Sequence, residues 1–443
     1  MRDPGGLLKT KARAFSPALL CQERKDGAKR RRGEEGGSKT FKEGGATLRK
    51  QKEIPKMKRT KPTPVLDWFK QTAEVLENPE VKAFKAAGGK VVGMFYPDTP
   101  VELLEAAGCM CFSLRGNTAE GTELGDAFFK NLTCQFSRAT FNEILDQKYG
   151  FLDGAVWYNN CDHMRRIYDN WKGVDKNSPA YCLFYYPKHR DDRAYGFYKD
   201  QLGAMIEATE ERFGVKITPE KVLEAIKAGN VTRRLIRELY ELRKGDEIYL
   251  DGSETASVLM TLCSVPRAVA NEKLAALIAE LKANGETVKP RFRLLYAGYH
   301  ADRPDIVGML EKDRGLVVCD TLGNGLAAAE TDIPTEGDPI ENVMHYYFWD
   351  KVPQPRVWGT QDARMARALK LVRDYRCDGV VAARIAFCDQ LAFEQYLLLG
   401  ATRKAGIPYL QLETTYDPEG IGQVRTRVQA FLESIETRTN DAL

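Results

Sequence analysis

The sequence predicts an α/β protein with two parallel-sheet domains, a helical insertion between them and a basic tail in front. Short buried-strand runs alternate with helical stretches in residues 90–186 and again in residues 292–412. A short pattern of residues recurs in both stretches, and residues 195–284 have helical patterning throughout. Strands separated by helices form parallel sheets that are covered on both faces, and 443 residues suit two domains.

Residues 1–62 are predicted to be a disordered basic tail. They contain 19 Lys and Arg against 7 Asp and Glu, with almost no periodic apolar face. The rest of the chain holds 47 basic and 55 acidic residues, so the globular body is acidic and gives no general reason to bind nucleic acid. A translation start at Met57 would explain the tail, and a nucleic-acid-binding arm is the alternative.

The expected compartment is the cytoplasm. The apolar segments of the tail are too short for a secretory signal, and its scattered acids do not suit a transit peptide. No apolar run approaches the length of a membrane span. In the cytoplasm, ten cysteines are expected to be thiols or metal ligands rather than disulfides.

The first α/β domain is predicted over residues 63–194. Its strands are expected at residues 90–96, 109–114, 155–158 and 181–186, where apolar residues run continuously. A helix is predicted at residues 100–107, with Thr99 as its N-cap and Pro100 at its first position.

The helical insertion is predicted over residues 195–288 and the second α/β domain over residues 289–443. Within the insertion, Thr218 and Pro219 indicate a helix start, and residues 228–230 (Ala-Gly-Asn) indicate a stop. In the second domain, strands are expected at residues 292–297, 316–319, 379–382 and 409–412.

An internal repeat gives the first functional indication. Residues 153–162 and 378–389 both contain Asp-Gly, a short apolar strand and Cys-Asp, followed by a helical stretch, as if one α/β unit were used twice. Cys161 and Cys388 therefore fall at strand carboxyl ends, where doubly wound sheets bind ligands. Cys134 lies near a third predicted helix start, and N–H groups at helix starts favour thiolates. Three such thiolates can hold an iron–sulfur cubane and leave one iron open to a substrate oxygen.

The competing interpretation is that the cysteines are small core residues, as most buried cysteines are. We expect this of Cys182, Cys263, Cys319 and Cys377, and also of the Cys109 and Cys111 pair, for which ligation is a minority alternative. The chain contains no Cys-x-x-Cys motif, no phosphate-loop lysine and no Gly-x-Gly-x-x-Gly fingerprint after the first strand. Asp162 and Asp389 are candidate acids only because they adjoin the cysteines, with helix capping as the alternative. His163 is expected on a solvent-facing loop, and a place near the site is the alternative, because it closely follows Cys161 and Asp162.

The order of several motifs resembles the 2-hydroxyacyl-CoA dehydratase family, which also contains the iron–sulfur subunits of benzoyl-CoA reductase. The motifs are residues 89–93 (Gly-Lys-Val-Val-Gly), 100–108, 152–154 with Cys161-Asp162, 387–389 (Phe-Cys-Asp), 406–413 and 422–432. The resemblance covers residues 66–436 and excludes the tail. It implies two Rossmann-like domains and a [4Fe-4S] cluster held by Cys134, Cys161 and Cys388. One departure is that residues 352–356 (Val-Pro-Gln-Pro-Arg) lack the cysteine that many relatives carry after proline.

The resemblance also implies a function and partners. The chain would be the iron–sulfur subunit of an anaerobic acyl-CoA radical enzyme, working with a related second subunit and an ATP-hydrolysing iron–sulfur activator. One low-potential electron would enter the thioester of an acyl-CoA. We favour the benzoyl-CoA reductase type, in which the radical begins reduction of an aromatic ring. The alternatives are a 2-hydroxyacyl-CoA dehydratase subunit, an electron-relay or double-cluster reductase subunit without substrate contact, and a plain α/β binding protein with core cysteines.

Overall fold

The computed structural model describes residues 59–441 except residues 96, 120, 160, 299–301, 312–314 and 417–420. Of the predicted tail, residues 1–58 lie outside the described residues. The α/β class is confirmed, because this part of the chain forms two four-stranded parallel sheets covered by helices.

The first sheet has the strand order β2-β1-β3-β4, and all of its strands are parallel. Its strands are β1 (Lys90–Met94), β2 (Cys109–Ser113), β3 (Gly154–Tyr158) and β4 (Ala180–Phe184). The central strand β3 is buried at every position, as expected when helices cover both faces of a parallel sheet. All four strands lie where the apolar runs predict them.

The second sheet repeats the first, with the parallel order β6-β5-β7-β8. Its strands are β5 (Phe292–Ala297), β6 (Gly315–Asp320), β7 (Gly379–Ile385) and β8 (Tyr409–Thr414). In both sheets the first strand along the chain is central, the second pairs with one of its edges and the third pairs with the other. The structure therefore confirms that one α/β arrangement occurs twice.

The recurring Asp-Gly pattern has the same role in both sheets. Asp153 and Asp378 precede β3 and β7, and each carboxylate accepts a backbone hydrogen bond from the start of the neighbouring central strand. The donors are Val91 N at 2.9 Å and Arg293 N at 2.7 Å. A Cβ on either following glycine would lie 2.8 Å from an aromatic ring. The pattern therefore sets the register of the two central strands and lets a ring pack against them.

Fifteen α-helices surround the sheets in the described part of the chain. They are α1 (Pro64–Ala73), α2 (Pro79–Ala86), α3 (Val101–Ala106), α4 (Glu123–Asp126), α5 (Gln135–Leu145), α6 (Asp162–Val174), α7 (Asp192–Phe213), α8 (Pro219–Glu241), α9 (Gly252–Leu262), α10 (Arg267–Asn284), α11 (Pro304–Leu310), α12 (Pro339–His345), α13 (Gln361–Asp374), α14 (Asp389–Lys404) and α15 (Ile421–Asp441). A 3₁₀ turn occupies Leu326–Ala328, and a π-helical turn occupies Tyr346–Asp350. None of these helices combines the length and the apolar character that crossing a membrane requires.

The predicted helix stop at residues 228–230 is wrong, because α8 continues through it. A Cβ at Gly229 would lie 2.9 Å from Arg233 Nη1 and 3.0 Å from Glu102 Oε1. The glycine therefore makes room for a buried ion pair between α8 and α3, and it does not end the helix. The predicted start is confirmed, with Thr218 Oγ1 accepting the backbone N–H of Lys221 at 3.5 Å.

The predicted cap of α3 is wrong by one residue. Pro100 occupies the N-cap position, and the helix begins at Val101. Thr99 instead donates its hydroxyl to the carbonyl of Phe95 at 3.0 Å. The hydroxyl closes the turn that follows β1, so it does not cap the helix.

The helices of the predicted insertion are shared between the two sheets. α7 packs on β4, and the first turns of α8 join the same hydrophobic core. The second half of α8, together with α9 and α10, packs into the core under the second sheet. In the described chain these helices thus cover the sheets, and the predicted domain boundaries stay a prediction.

Residues 59–62, at the end of the predicted tail, are bound to the globular body. Arg59 donates to both carboxylate oxygens of Glu254, at 3.2 and 2.7 Å, and to the Tyr249 carbonyl at 2.7 Å. Thr60 N donates to Glu286 at 2.8 Å. The packed part of the chain therefore extends at least to Arg59.

Candidate metal centre

A cleft between the two sheets brings the three predicted cysteines together. Cys134 and Cys161 line it from the first sheet's side, and Cys388 lines it from the second. The cleft contains about 820 Å³ of atom-free space, part of which is open to solvent. We refer to it as the cysteine cleft.

Cys134 is the N-cap of α5 and is buried. Its backbone N–H donates to His163 Nδ1 at 3.2 Å, and its Sγ lies 3.5 Å from the hydroxyl of Ser137. His163 belongs to the first turn of α6 and is half-buried, so the expectation of a solvent-facing loop histidine is wrong. Burial lowers the pKa of His163, which favours the neutral ring that this hydrogen bond needs. The imidazole fixes the segment that carries Cys134.

Cys161 and Cys388 are also N-caps, of α6 and α14. Each follows a central strand of its sheet, β3 or β7, as the repeat predicts. The Sγ of Cys161 accepts the backbone N–H of Met164 at 3.4 Å. Cys388 follows Phe387, which is held at a φ of 64°. A bulky residue in the left-handed region is strained, by about 1–3 kcal/mol, and such strain is typical of functional sites.

The three thiols share one local environment. The amide three residues further on, that of Ser137, Met164 or Leu391, lies beside each sulfur and lowers its pKa. Burial acts in the opposite direction and dominates: it raises the pKa of Cys134 to about 12 and that of Cys388 to about 11, and it raises the pKa of Cys161. The free thiols are therefore protonated at neutral pH, and a metal would have to displace their protons.

A polar pair crosses the same cleft. The Tyr416 hydroxyl donates to the buried carboxylate of Asp302, and the Tyr416 backbone N–H donates to Gln135 Oε1 at 2.7 Å. Asp302 also accepts the backbone N–H of Gly116 at 3.4 Å. The Arg303 guanidinium lies 5.1 Å from the centre of the Tyr416 ring. These contacts, which we call the Asp302–Tyr416 clamp, join the two sheets next to Cys134.

Three cysteine thiols on one cleft are the type of donor that binds an iron–sulfur cluster. Nowhere in the described part of the chain do three His, Cys, Asp or Glu side chains lie close enough to share one ion. A cluster distributes its thiolates over separate irons, so it needs sulfurs that are further apart. The described lining of the cleft includes these three cysteines and no fourth. Such a donor set would leave one iron without a cysteine ligand.

A second pocket adjoins the cysteine cleft and shares Ala383 and Leu391 with it. It contains about 690 Å³ of atom-free space and lies at the carboxyl ends of β5, β6 and β7. Because β6 and β7 flank β5 on opposite sides, this is the switch point where open α/β sheets bind ligands. Its Lys351 ammonium is paired with Asp98 at 2.9 Å, and both side chains are about 5% exposed.

The remaining candidate residues lie outside both cavities. Asp162 and Asp389 are the first residues of α6 and α14, where an acid suits the positive helix end, and the capping positions belong to the cysteines before them. Cys109 and Cys111 are buried in the core on β2. By contrast, the segment 352–356, which lacks the cysteine that the resemblance implies, contributes residues 352, 353 and 355 to the second pocket. Burial raises the pKa of Cys161, and the charge of Arg356 opposes this effect.

Comparison with known proteins supports the resemblance seen in the motifs. Residues 98–435 match the family model described as 2-hydroxyglutaryl-CoA dehydratase, D-component. A benzoyl-CoA reductase subunit of Thauera aromatica is 22% identical over 78% of this chain and 91% of its own length. The (R)-phenyllactyl-CoA dehydratase beta subunit of Clostridium sporogenes is 23% identical over 83% of this chain and 98% of its own length.

A third relative is the (R)-2-hydroxyglutaryl-CoA dehydratase beta subunit of Acidaminococcus fermentans, 23% identical over 80% of this chain and 94% of its own length. All three relatives are named as subunits of acyl-CoA reductases or dehydratases. Because the family model covers about three quarters of the sequence, including all three cysteines, the chain belongs to the 2-hydroxyglutaryl-CoA dehydratase D-component family.

Proposed function

We propose that the chain is the iron–sulfur subunit of an anaerobic acyl-CoA enzyme, of the benzoyl-CoA reductase type. Cys134, Cys161 and Cys388 would hold a [4Fe-4S] cluster. The observation that carries this proposal is the convergence of three thiols, two buried and Cys388 half-buried, from three helix N-termini and both sheets, on one cleft. The relatives named as reductase and dehydratase subunits support the reaction class.

When bound, the cluster would supply a low-potential electron and an open iron that attracts a substrate oxygen. The chain's own residues provide the surroundings. Phe136, Met164 and Ile306 form apolar walls of the cleft, which exclude water and so protect a reactive radical. The Asp302–Tyr416 clamp fixes the two halves of the cleft relative to each other.

The second pocket suits the acyl group of the substrate. Much of its wall is small and apolar, including Ala297, Ala368 and Ala382. Arg367 also lines it, and the Nη2 of Arg367 is buried without a hydrogen-bond partner among the described residues. A ligand oxygen there would satisfy this donor. Since the pocket shares a wall with the cysteine cleft, an acyl group in it would direct its thioester towards the cysteines.

The proposal includes a related second subunit, an ATP-hydrolysing iron–sulfur activator and a cytoplasmic location. The three relatives are named as subunits, which supports a partner. The outer face of α14 supports it as well, because Phe393 and Tyr396 are each 74% exposed there. Contiguous exposed aromatic residues are typical of protein interfaces. Cys388 is the N-cap of α14, so a partner on this face would lie near the cleft.

The test is anaerobic purification of the full chain with iron and sulfide counts, followed by addition of benzoyl-CoA. We expect about four irons and four sulfides per cluster and a change in the visible or electron paramagnetic resonance spectrum when benzoyl-CoA binds. A chain without iron would contradict the cluster. A loaded chain whose spectrum is unchanged by every acyl-CoA would favour the electron-relay alternative.

A 2-hydroxyacyl-CoA dehydratase subunit is the second candidate. It is favoured by the family description and by the dehydratase names of two of the three relatives. Titration of the loaded chain with an (R)-2-hydroxyacyl-CoA separates the two candidates. A spectral change with the hydroxyacyl-CoA, and none with benzoyl-CoA, would replace the reductase proposal by the dehydratase.

A further inference from the structure

A second group of thiols lies outside both cavities. The Sγ atoms of Cys319 and Cys377 are 3.6 Å apart, although the residues are 58 positions apart in the sequence. Cys319 is on β6, and Cys377 is in the turn between α13 and β7. Both are free thiols. The sequence suggests two inert core residues, but the structure places them against each other.

The two sulfurs differ in access. Cys319 is fully buried, whereas Cys377 is partly exposed. The Sγ of Cys319 lies 4.0 Å from the carbonyl oxygen of Leu371 on α13. It faces the Sγ of Cys377 inside the protein, so the two sulfurs can react without exposing Cys319 to solvent. A reagent in solution therefore meets Cys377 first, and Cys319 is the thiol that stands behind it.

The backbone holds Cys377 in this position. Its N–H donates to the Val372 carbonyl at 2.8 Å, and the next residue donates to the Arg293 carbonyl at 2.7 Å. The residue before it, Arg376, is in the left-handed region with a φ of 53°. A disulfide needs sulfurs about 2.05 Å apart, so the two atoms have to approach by about 1.5 Å.

Buried charged groups act on the pair. Arg243 is fully buried, and its Nε and Nη1 have no hydrogen-bond partner among the described residues. Burial raises the pKa of the Cys319 thiol, and the positive charge of Arg243 opposes this effect. Both thiols also interact electrostatically with the Arg293 guanidinium. A buried guanidinium with unsatisfied donors stabilises a thiolate that forms beside it. Burial, the neighbouring Cys377 and the charge of Asp320 outweigh this effect and raise the pKa of Cys319, so Cys319 is protonated until its proton is removed during exchange.

We propose that Cys319 and Cys377 are a reversible modification site for small disulfides such as glutathione disulfide. The Cys377 thiolate attacks one sulfur of the reagent, which releases one glutathione thiolate and leaves a mixed disulfide on Cys377. Cys319 then loses its proton and attacks the Cys377 sulfur, which releases the second glutathione. The protein is oxidised by two electrons, the reagent is reduced to two glutathiones, and the two thiol protons pass to them. This site does not depend on the proposed cluster.

The test exposes the full chain, kept anaerobic, to glutathione disulfide, blocks the remaining thiols with N-ethylmaleimide and maps peptides by mass spectrometry. We expect a Cys319–Cys377 cross-linked peptide, its loss on treatment with dithiothreitol, and a higher Tm for the oxidised chain. Cys377→Ser should remove the cross-link and the Tm shift. Cys319→Ala should stop at glutathione on Cys377. Cys263→Ser, a buried cysteine at the end of α9, is the matched control and should change nothing.

The wild-type peptide map alone decides the proposal, even if a variant folds poorly. The pair is not a modification site if both thiols stay free while other cysteines react. The same conclusion follows if the cross-link forms only after the chain is unfolded in urea.

Discussion

Removing the charge of Glu102 should destabilise the protein strongly. Glu102 is fully buried on α3, and its carboxylate pairs with Arg233 on α8 and accepts the Tyr347 hydroxyl at 3.0 Å. The Arg233 guanidinium also lies 4.9 Å from the centre of the Tyr346 ring. This pair joins the first sheet's side to the π-helical turn that leads into Lys351 and the second pocket.

The magnitude follows from burial. Glu102→Gln keeps the size of the side chain and its acceptor for Tyr347, but it leaves the Arg233 guanidinium, 8% exposed, without its counter-charge. Removing one partner of a buried ion pair costs about 3–5 kcal/mol, so we expect a loss of about 3 kcal/mol. Burial alone would raise the pKa of Glu102, but the charges of Arg233 and Arg267 outweigh it and lower the pKa. The stabilisation by the Glu102 carboxylate is therefore fully present at pH values above the pKa of a glutamate in the unfolded chain. It is lost as the pH falls through the lower pKa that Glu102 has in the folded protein.

The assay is urea unfolding followed by tryptophan fluorescence, at pH 7 and again in acid. The matched control is Glu224→Gln. Glu224 pairs with Lys227 on the surface of α8, the helix that carries Arg233, and their side chains are 73% and 54% exposed, respectively. The control should change the free energy of unfolding by less than about 0.5 kcal/mol. A loss below about 1 kcal/mol for Glu102→Gln at pH 7, or a loss that does not shrink in acid, would refute the reasoning.

Three further changes have defined outcomes. Tyr416→Phe leaves the buried Asp302 without its hydroxyl donor, so it should cost about 1–3 kcal/mol and speed the loss of iron from the loaded chain, measured by release to a chelator. Gln147→Gly should raise the free energy of unfolding by about 0.5–1 kcal/mol, because Gln147 is exposed and has a φ of 61°; an unchanged urea midpoint would count against it. A chain that starts at Met57 should have the same Tm as the full chain, because the tail lacks apolar surface to bury. A chain that starts at residue 63 should have a lower Tm, because it loses the contacts of Arg59 with Glu254.

Much of the fold could be predicted because its signals are local. Buried parallel strands appear as continuous apolar runs, and the repeated Asp-Gly motif marks the start of β3 and β7. The wrong helix stop in α8 shows the limit. Gly229 looks like a terminator in the sequence, but it faces Glu102 from a distant helix, and only the tertiary packing shows this.

Only part of the candidate site could be predicted from the sequence. The three cysteines could be placed because strand ends and helix starts are local features, and all three prove to be N-caps. His163 follows Cys161 by two residues, and this short spacing is the local signal for the alternative that the structure favours, a histidine near the site. The Asp302–Tyr416 clamp could not be predicted, because it joins residues 114 positions apart and depends on how the two sheets meet.

The central claim, that Cys134, Cys161 and Cys388 hold the cluster, is tested most directly by iron and sulfide analysis of single serine variants under anaerobic conditions. Each of the three variants should lose most of its iron and its broad cluster absorbance, because three thiolates leave no spare protein ligand. Cys182→Ser and Cys263→Ser are the controls. Burial raises the pKa of both thiols, to about 11 and about 12, as it does for the three, but neither lines the cleft, so both variants should keep full iron. Full iron and sulfide in any of the three cleft variants would show that its cysteine is not a ligand.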